Sequence, residues 1–554
     1  MEKTASDLLI ECLENEGVTR IFGLPGEENL ELLESIRKSN KIELILVHHE
    51  QAAGFMAATC GRLTGEPGVC MSTLGPGATN LATSAAFSLL GGMPMIMLTG
   101  QKPIAYSKQG RFQILDIVST MRPLTKTSQS IAYANQIPQL VRGAFRTAKT
   151  GKPGPILLEL PEDIAGHKID RRPYQISEDA PSVASSESID KVANLIANAK
   201  APLIVLGLGS SRDDNICASL KEFIEDHHLY FMTTQMGKGV VDERHDHALG
   251  CAALSSEDYI HDALDIADLV LNIGHDVIEK PPFFMKSESQ TQVVHISETP
   301  AEIDDVYFPG HELIGCLAGN IGLLNKSLTA KTMQQSTDAA EQFQKLRNLI
   351  ENEVYDIPEA SQVPFNPAEL VGAVRRHLKD DGMIALDNGM YKIWFARHFK
   401  SYHSNQLLLD NALATMGAGL PAAIAAKIIA PEKQVIAVCG DGGLSMALAE
   451  METVNRLKLD LTVVVVCDDG LGMIKWKQRK DGFADYGLDF NNPDYKLLAE
   501  SFGGKGHVIE KPEQLQLAFE QAAQEGGLHV IAVPVDYKSS NKDLEKKLDE
   551  KVWM

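Results

Sequence analysis

At 554 residues the chain is too long for one domain, and three are the natural expectation at roughly 100–200 residues each. Hydrophobic residues make up 44% and supply a substantial core, while 52 basic against 74 acidic side chains leave a formal charge of −22. So acidic a chain has no general attraction for nucleic acid or anionic membranes, and no uninterrupted apolar stretch reaches the length of a membrane span.

Along the chain, apolar strand-like runs alternate with helix-like segments, the pattern of parallel α/β domains. The opening residues lack the basic and apolar regions of a secretory signal. The eight cysteines are scattered without a Cys-x-x-Cys pair, so a reduced, cytoplasmic setting is expected. Ser6 to Asn15 carries Leu8, Leu9, Cys12 and Leu13 at helical spacing, with Gly17 as the stop. Strands are predicted at Ile42–Val47, Gly68–Thr73, Met95–Leu98 and Ile156–Leu160, and a polar linker from Arg171 to Ser188. A second block opens at Pro202–Leu206 and continues through Leu269–Ile273 and Val293–Ile296, before a polar helical stretch from about Lys326 to Glu353. The third holds strands at Met383–Leu386, Val435–Val438, Leu461–Val466 and His529–Val533, then a charged tail from Tyr537 to Lys551. The expected architecture is three doubly wound parallel-sheet domains, over 1–170, 189–325 and 365–540. The first and third are similar in length, as an old duplication would leave them, with no repeat visible at the residue level.

Chemistry concentrates where strands end. Val435–Cys439 runs into Gly440-Asp441-Gly442-Gly443, and Leu461–Val466 runs into Cys467-Asp468-Asp469-Gly470-Leu471-Gly472-Met473. Alone, Gly-Asp-Gly reads as a tight turn. Two acidic loops on neighbouring strands suit a divalent cation bridging a diphosphate instead, because hard cations take oxygen ligands. In the first block, Glu50 opens a helix followed by the small residues Ala52, Ala53 and Gly54. Leu74-Gly75-Pro76-Gly77-Ala78-Thr79-Asn80 is a second loop with free backbone amides. Gly207-Leu208-Gly209 is half of a dinucleotide fingerprint without its third glycine, and a simple βα turn is the favoured reading.

Taken in order, His49-Glu50-Gln51-Ala52-Ala53-Gly54-Phe55-Met56-Ala57, the Gly75–Asn80 loop, Thr415-Met416-Gly417-Ala418-Gly419-Leu420-Pro421 and the two acidic loops resemble the thiamine-diphosphate-dependent decarboxylases and carboligases. The resemblance spans all three blocks and implies pyrimidine-binding, central and diphosphate-binding domains. It implies that Glu50 hydrogen-bonds the aminopyrimidine and promotes the tautomer that generates the thiazolium ylid. It makes Met416 the bulky residue under the cofactor, and Asp441 a ligand of Mg2+. It sets Gly440, Gly442 and Gly443, with Gly75, Gly77, Gly389, Met390, Tyr391 and Met473, around thiamine diphosphate, and Gln113 near the thiazolium. It further implies at least a homodimer, often a homotetramer, because the family's cofactor lies between two subunits.

The finer match is similar to acetolactate synthase of the catabolic, flavin-independent type, so FAD is not expected. The Ile273–Glu279 run, Ser297 to Asp304 and Val533–Tyr537 carry it. The implied reaction joins two pyruvates to 2-acetolactate with loss of carbon dioxide. Two alternatives stay open: another 2-oxoacid decarboxylase or carboligase on the same cofactor, and a catalytically weak relative with an altered metal loop. Cys467 motivates the last, since it stands where the family usually has asparagine and a thiol suits magnesium poorly. The expectation is that Asp468 or Asp469 takes over through a small loop shift. Leu74, Tyr391 and Lys477 are further departures.

Overall fold

In the computed structural model residues 3–106, 110–177, 181–254, 258–279, 291–303, 305 and 307–537 are described. Asp304, the tail beyond Tyr537 and residues 178–180 of the expected linker lie outside them. The first sheet comprises β1 Arg20–Gly23, β2 Glu43–Leu46, β3 Gly68–Ser72, β4 Met95–Gln101, β5 Thr127–Ser130 and β6 Pro155–Pro161, all parallel, in the order β2-β1-β3-β4-β6-β5. The central sheet comprises β7 Pro202–Leu206, β8 Tyr230–Thr234, β9 Ala248–Ala252, β10 Leu269–Ile273, β11 Gln292–Ser297 and β12 His311–Ile314, in the order β9-β8-β7-β10-β11-β12. The third comprises β13 Met383–Leu386, β14 Leu407–Leu408, β15 Val435–Gly440, β16 Leu461–Cys467, β17 Lys505–Val508 and β18 Leu528–Pro534, ordered β14-β13-β15-β16-β18-β17. A small antiparallel pair, Lys3–Thr4 with Lys168–Ile169, stands apart.

The first and third sheets therefore share one strand order, second-first-third-fourth-sixth-fifth. The two blocks of similar length thus also share a topology. The central sheet follows the other doubly wound order, reversing direction between β7 and β10, where such folds place ligands.

Local chemistry explains the boundaries. Thr4 and Asp7 form a reciprocal capping box at the helix Ala5–Asn15, which ends before Gly17 at φ +88°. The helix Glu50–Thr64 closes on Gly65 in the left-handed region, at φ +72°. Val435–Cys439 and Val463–Val466 are apolar throughout because β15 and β16 are interior strands buried on both faces. The expected single helical stretch from Lys326 is instead the end of one helix, Leu317–Thr329, and a second, Thr337–Ile350.

By contacts the chain forms two compact units. One is Met1–Asp179 with Leu420–Pro431 and Ala447–Leu459; the other is Ala180–Gly419 with Glu432–Met446 and Asp460–Met554. The first packs Leu8, Leu9, Leu13, Ile96 and Phe145 around its sheet. The second carries the central sheet and the third, the latter around Trp394, Phe395 and Val464. No helix of the described residues is long and apolar enough to cross a membrane.

Candidate active site

In the first unit, Glu50 begins the helix that follows β2 and is only 6% exposed. Its Oε2 accepts a hydrogen bond from Asn80 Nδ2 at 2.9 Å. Its Oε1 lies 2.9 Å from where a Cβ on Gly77 would sit, so glycine there is a requirement of space. At Gly54 a Cβ would fall 1.9 Å from Ser84 Oγ, which explains the run of small residues. The approach to Glu50 is fixed from far away in sequence. Glu450 Oε1 accepts the backbone N–H of His48 at 3.0 Å and of His49 at 3.2 Å. Burial raises the Glu450 carboxyl against the hydrogen bonds it receives.

The Gly75 turn needs its glycine for conformation: φ is +50°. The Gln113 carbonyl lies 3.0 Å from the position of a Cβ there. Gln113 is therefore beside the turn, with its side chain exposed and its own φ at +59°. Leu74 is fully buried, so this departure is a core residue.

In the second unit, Asp441 stands at the carboxyl end of β15 and is 1% exposed. Its Oδ2 accepts the N–H groups of Asp468 at 3.1 Å and Asp469 at 2.9 Å, and Asn492 Nδ2 at 2.8 Å. Asn492 also donates to Asp469 Oδ1 at 2.7 Å. The Asp468 carboxyl lies against that of Asp441. Burial first, and the Asp441 charge second, push it up to about 7. A buried carboxyl group and a half-buried one are thus brought together at the ends of adjacent strands. Cys467 is no part of that pair: its Sγ is 3.6 Å from the Val465 carbonyl, and burial drives the thiol far up. It stays protonated at neutral pH. No loop shift is needed to bring Asp468 to Asp441.

Around this pair the glycines make a cradle. A Cβ on Gly442 would fall 3.2 Å from Met416 Cε, with Leu471 and Phe490 just beyond. A Cβ on Gly443 would fall 2.4 Å from Asp387 Oδ2. Asp387, buried at the end of β13, accepts the Gly417 N–H at 3.0 Å and ties the Met416 loop to the sheet. Burial lifts its carboxyl to about 6 despite those hydrogen bonds. Met473 is half-buried against the core cluster at the start of the helix Gly472–Lys480. Met390 and Tyr391 have their side chains inside that core. The Tyr391 hydroxyl accepts the Gly440 N–H at 2.7 Å, and its ring lies under Gly389, where a Cβ would be 2.4 Å away. It supports the loop from beneath.

Sequence reasoning missed Glu450, Asp387, Asn492 and Phe490. Asp387 had a usable signal, since Leu386-Asp387-Asn388-Gly389 repeats the strand-then-acid pattern of Gly440-Asp441.

Parallel α/β sheets whose strand ends carry a buried acid in one unit and a glycine-lined carboxyl pair in the other have the marks of a ligand-binding α/β protein. Three models of the thiamine pyrophosphate enzyme family match the chain: the N-terminal TPP binding domain over residues 3–120, the central domain over 189–323 and the C-terminal TPP binding domain over 387–533. An acetolactate synthase of Bacillus subtilis is 31% identical over 98% of this chain and 94% of its own length. A catabolic acetolactate synthase of Raoultella terrigena is 31% identical over 97% and 95%. The putative thiamine pyrophosphate-containing protein YdaP of Bacillus subtilis is 32% identical over 94% and 89%. The chain belongs to the thiamine pyrophosphate enzyme family, as an acetolactate synthase-like member that uses thiamine diphosphate.

Proposed function

We propose that the chain is a carboligase that condenses two pyruvates to 2-acetolactate. Two pyruvate anions and one proton give one acetolactate anion and one carbon dioxide, so atoms and charge balance. The bound cofactor supplies an electron sink for the carbanion left by decarboxylation. What supports the reading is one observation above the rest: Asp441 and Asp468 face each other at the carboxyl ends of adjacent strands, beneath a glycine cradle. That donor set suits Mg2+ with a diphosphate, and Gly440, Gly442 and Gly443 let Tyr391, Met416 and Asp387 pack closely beneath the loop. Asp469 follows in the same loop, where Asn492 holds its carboxylate.

Glu50 takes the role of hydrogen-bond partner and proton holder for the aminopyrimidine. Asn80 fixes its orientation, and Gly77 leaves space for the Glu50 carboxyl beside the turn. Gln113, exposed beside Gly75, faces the substrate. Met416 supports the cofactor over Gly442, and Met473 packs beside it. The resemblance to a family whose cofactor lies between two subunits makes a homodimer at least, with a homotetramer as its extension, the proposed assembly. The buried carboxylate of Glu279 fills the glycine turn after β7, which supports the expectation that FAD is not used. A working site is favoured over a silent relative because Asp468 supplies the oxygen that Cys467 does not.

Calorimetric titration with thiamine diphosphate and Mg2+, followed by a pyruvate assay, tests this. Acetolactate as the product supports the reading. Acetaldehyde alone, or turnover only of a bulkier 2-oxoacid, moves the chain to another decarboxylase or carboligase. No binding heat at high ligand concentration defeats every enzyme reading. A Glu50→Gln variant keeps the shape of the side chain and should lose at least about 100-fold in kcat while retaining its fold.

A further inference from the structure

The most deeply buried ion pair of the first unit lies outside the groups assigned so far. Lys102, just after β4, and Glu28, in the turn after β1, have side chains 2% and 5% exposed, with Nζ and Oε1 2.5 Å apart. The other Glu28 oxygen accepts the hydroxyl of Thr73 at 2.7 Å. Burial works against the Glu28 carboxylate, yet the hydrogen bonds from Lys102 and Thr73 outweigh it and hold the group below its ordinary value. Glu28 is therefore a carboxylate at neutral pH.

Thr73 follows β3 directly and begins the turn through Gly75 to Gly77. Its Cγ2 lies 2.9 Å from where a Cβ on Gly77 would sit, the same distance as Glu50 Oε1. Lys102, Glu28 and Thr73 are thus linked by direct bonds, and Thr73 and Glu50 both border the space beside Gly77. The loop after β1 reinforces it: a Cβ on Gly26 would fall 2.5 Å from Thr73 Oγ1, and Asn29 Nδ2 donates to the Ser72 carbonyl at 3.1 Å. On the other side of Lys102, Gln101 Nε2 donates to the Leu115 carbonyl at 3.2 Å, in the segment that carries Gln113.

We propose that Lys102 and Glu28 are positioning residues for Glu50: the ion pair fixes the Thr73 hydroxyl, and Thr73 sets the Gly75–Gly77 turn against the Glu50 carboxyl. This rests on the role given to Glu50 above. An isolated charge pair in a core is often no more stable than apolar packing of the same volume, so its geometry is its use. Buried on both partners and bonded to a turn residue, it holds that turn to one arrangement.

The test is proton–deuterium exchange at the thiazolium C2 of bound thiamine diphosphate, quenched and read by NMR. It needs no 2-oxoacid, so it stands whichever substrate the enzyme takes. Calorimetry and thermal melting of each variant run beside it. Thr73→Val keeps the shape and removes the hydroxyl; exchange should slow by about 10-fold or more, with the cofactor Kd within about 3-fold, because misplacement of a catalytic group by a fraction of an ångström costs rate. Thr73→Ser restores the hydroxyl and should recover the exchange. Lys102→Met should slow exchange likewise; if it fails to fold, Thr73→Val decides alone. Wild-type exchange in Thr73→Val would overturn the proposal. Failure of the wild-type protein to bind the cofactor would instead defeat the functional reading itself, and calorimetry tells the two apart.

Discussion

In the central sheet a buried carboxylate, Glu279, fills the glycine turn after β7; in the third sheet a buried carboxylate, Asp441, stands at the end of β15 beside a second one. Both glycine turns lie at carboxyl ends of parallel strands, where such folds bind ligands. Glu279 accepts the Leu208 N–H at 3.0 Å, the Thr234 hydroxyl at 2.6 Å and the Asp276 N–H at 3.1 Å. A Cβ on Gly207 would fall 2.8 Å from its Oε2. The carboxylate occupies the place a phosphate would take, and its lone pairs are met by the protein. Asp441 also accepts several N–H groups, but its neighbour is the like-charged Asp468. One turn is closed by its own side chain; the other holds two carboxyl groups together, a charge that the proposed Mg2+ would offset.

The largest break in this comparison comes from Asp441→Asn. The variant keeps the acceptor oxygen and removes the charge, so Mg2+-dependent binding of thiamine diphosphate should weaken by about 100-fold or more, read by calorimetry. Asp468→Asn should divide the effects. An amide beside Asp441 donates where two carboxyl groups oppose each other, so the cation-free protein should melt higher. Binding of Mg2+ should still weaken by about 10-fold. The sign of the pH dependence follows from the raised carboxyl. A folded value of about 7 lies above the ordinary 3.8, so the penalty is complete above pH 7 and relieved as pH falls toward 4. The melting advantage of Asp468→Asn should be largest above pH 7 and shrink on acidification. An advantage that does not vary with pH would show that the carboxyl groups do not oppose each other.

Glu279→Gln sharpens the closed side. Burial lifts Glu279 to about 7 from 4.5, so ionisation costs stability above pH 7 and the cost is relieved as pH falls. His275, with both ring nitrogens buried and burial lowering it to about 4, works in the opposite sense. Its neutral form stabilises above pH 6.5 and that gain is lost toward pH 4. In the wild-type protein the two slopes oppose each other. His275 Nδ1 lies 3.7 Å from Glu279 Oε2, so the change touches both groups; with the Glu279 slope removed, the variant should still gain on the wild type by about 3 kcal/mol between pH 4.5 and 7.5, measured by denaturant unfolding. A difference independent of pH would mean that Glu279 is not held in an apolar, closed turn.

How far all this was legible in the sequence depends on the range of the interaction. The interior strands β3, β4, β7, β10, β13, β15, β16 and β18 announce themselves as apolar runs, because both faces are covered. The edge strand β5 reads Thr127-Ser-Gln-Ser and β17 begins with Lys505; neither has an apolar run to find. In the site, Glu50, Asp441 and Asp468 follow apolar strand runs and have a glycine within four residues, a local pattern. Glu450 holding His48 is a contact across 402 positions, and Asn492 reaches Asp441 across 51. Nothing local marks either residue. The Glu28–Lys102 pair spans 74 positions and looks, in the sequence, like two surface charges.

Cys467→Ser carries the smallest expected effect and separates two accounts of the open side. By the family resemblance, position 467 is the place for a side-chain ligand, and a thiol there should weaken a magnesium site. The structure ends β16 at Cys467 with its sulfur turned to the Val465 carbonyl, while the next residue meets Asp441. A hydroxyl in place of that sulfur offers a harder donor, so a ligand at 467 would tighten Mg2+ binding by about 10-fold on the preference of hard cations for oxygen. With Asp468 as the partner of Asp441, affinity should stay within about 2-fold, because the exchanged atom lies outside the carboxylate pair. Calorimetry of Cys467→Ser beside Asp468→Asn gives both numbers under one set of conditions. A tighter site in the serine variant would return position 467 to the metal.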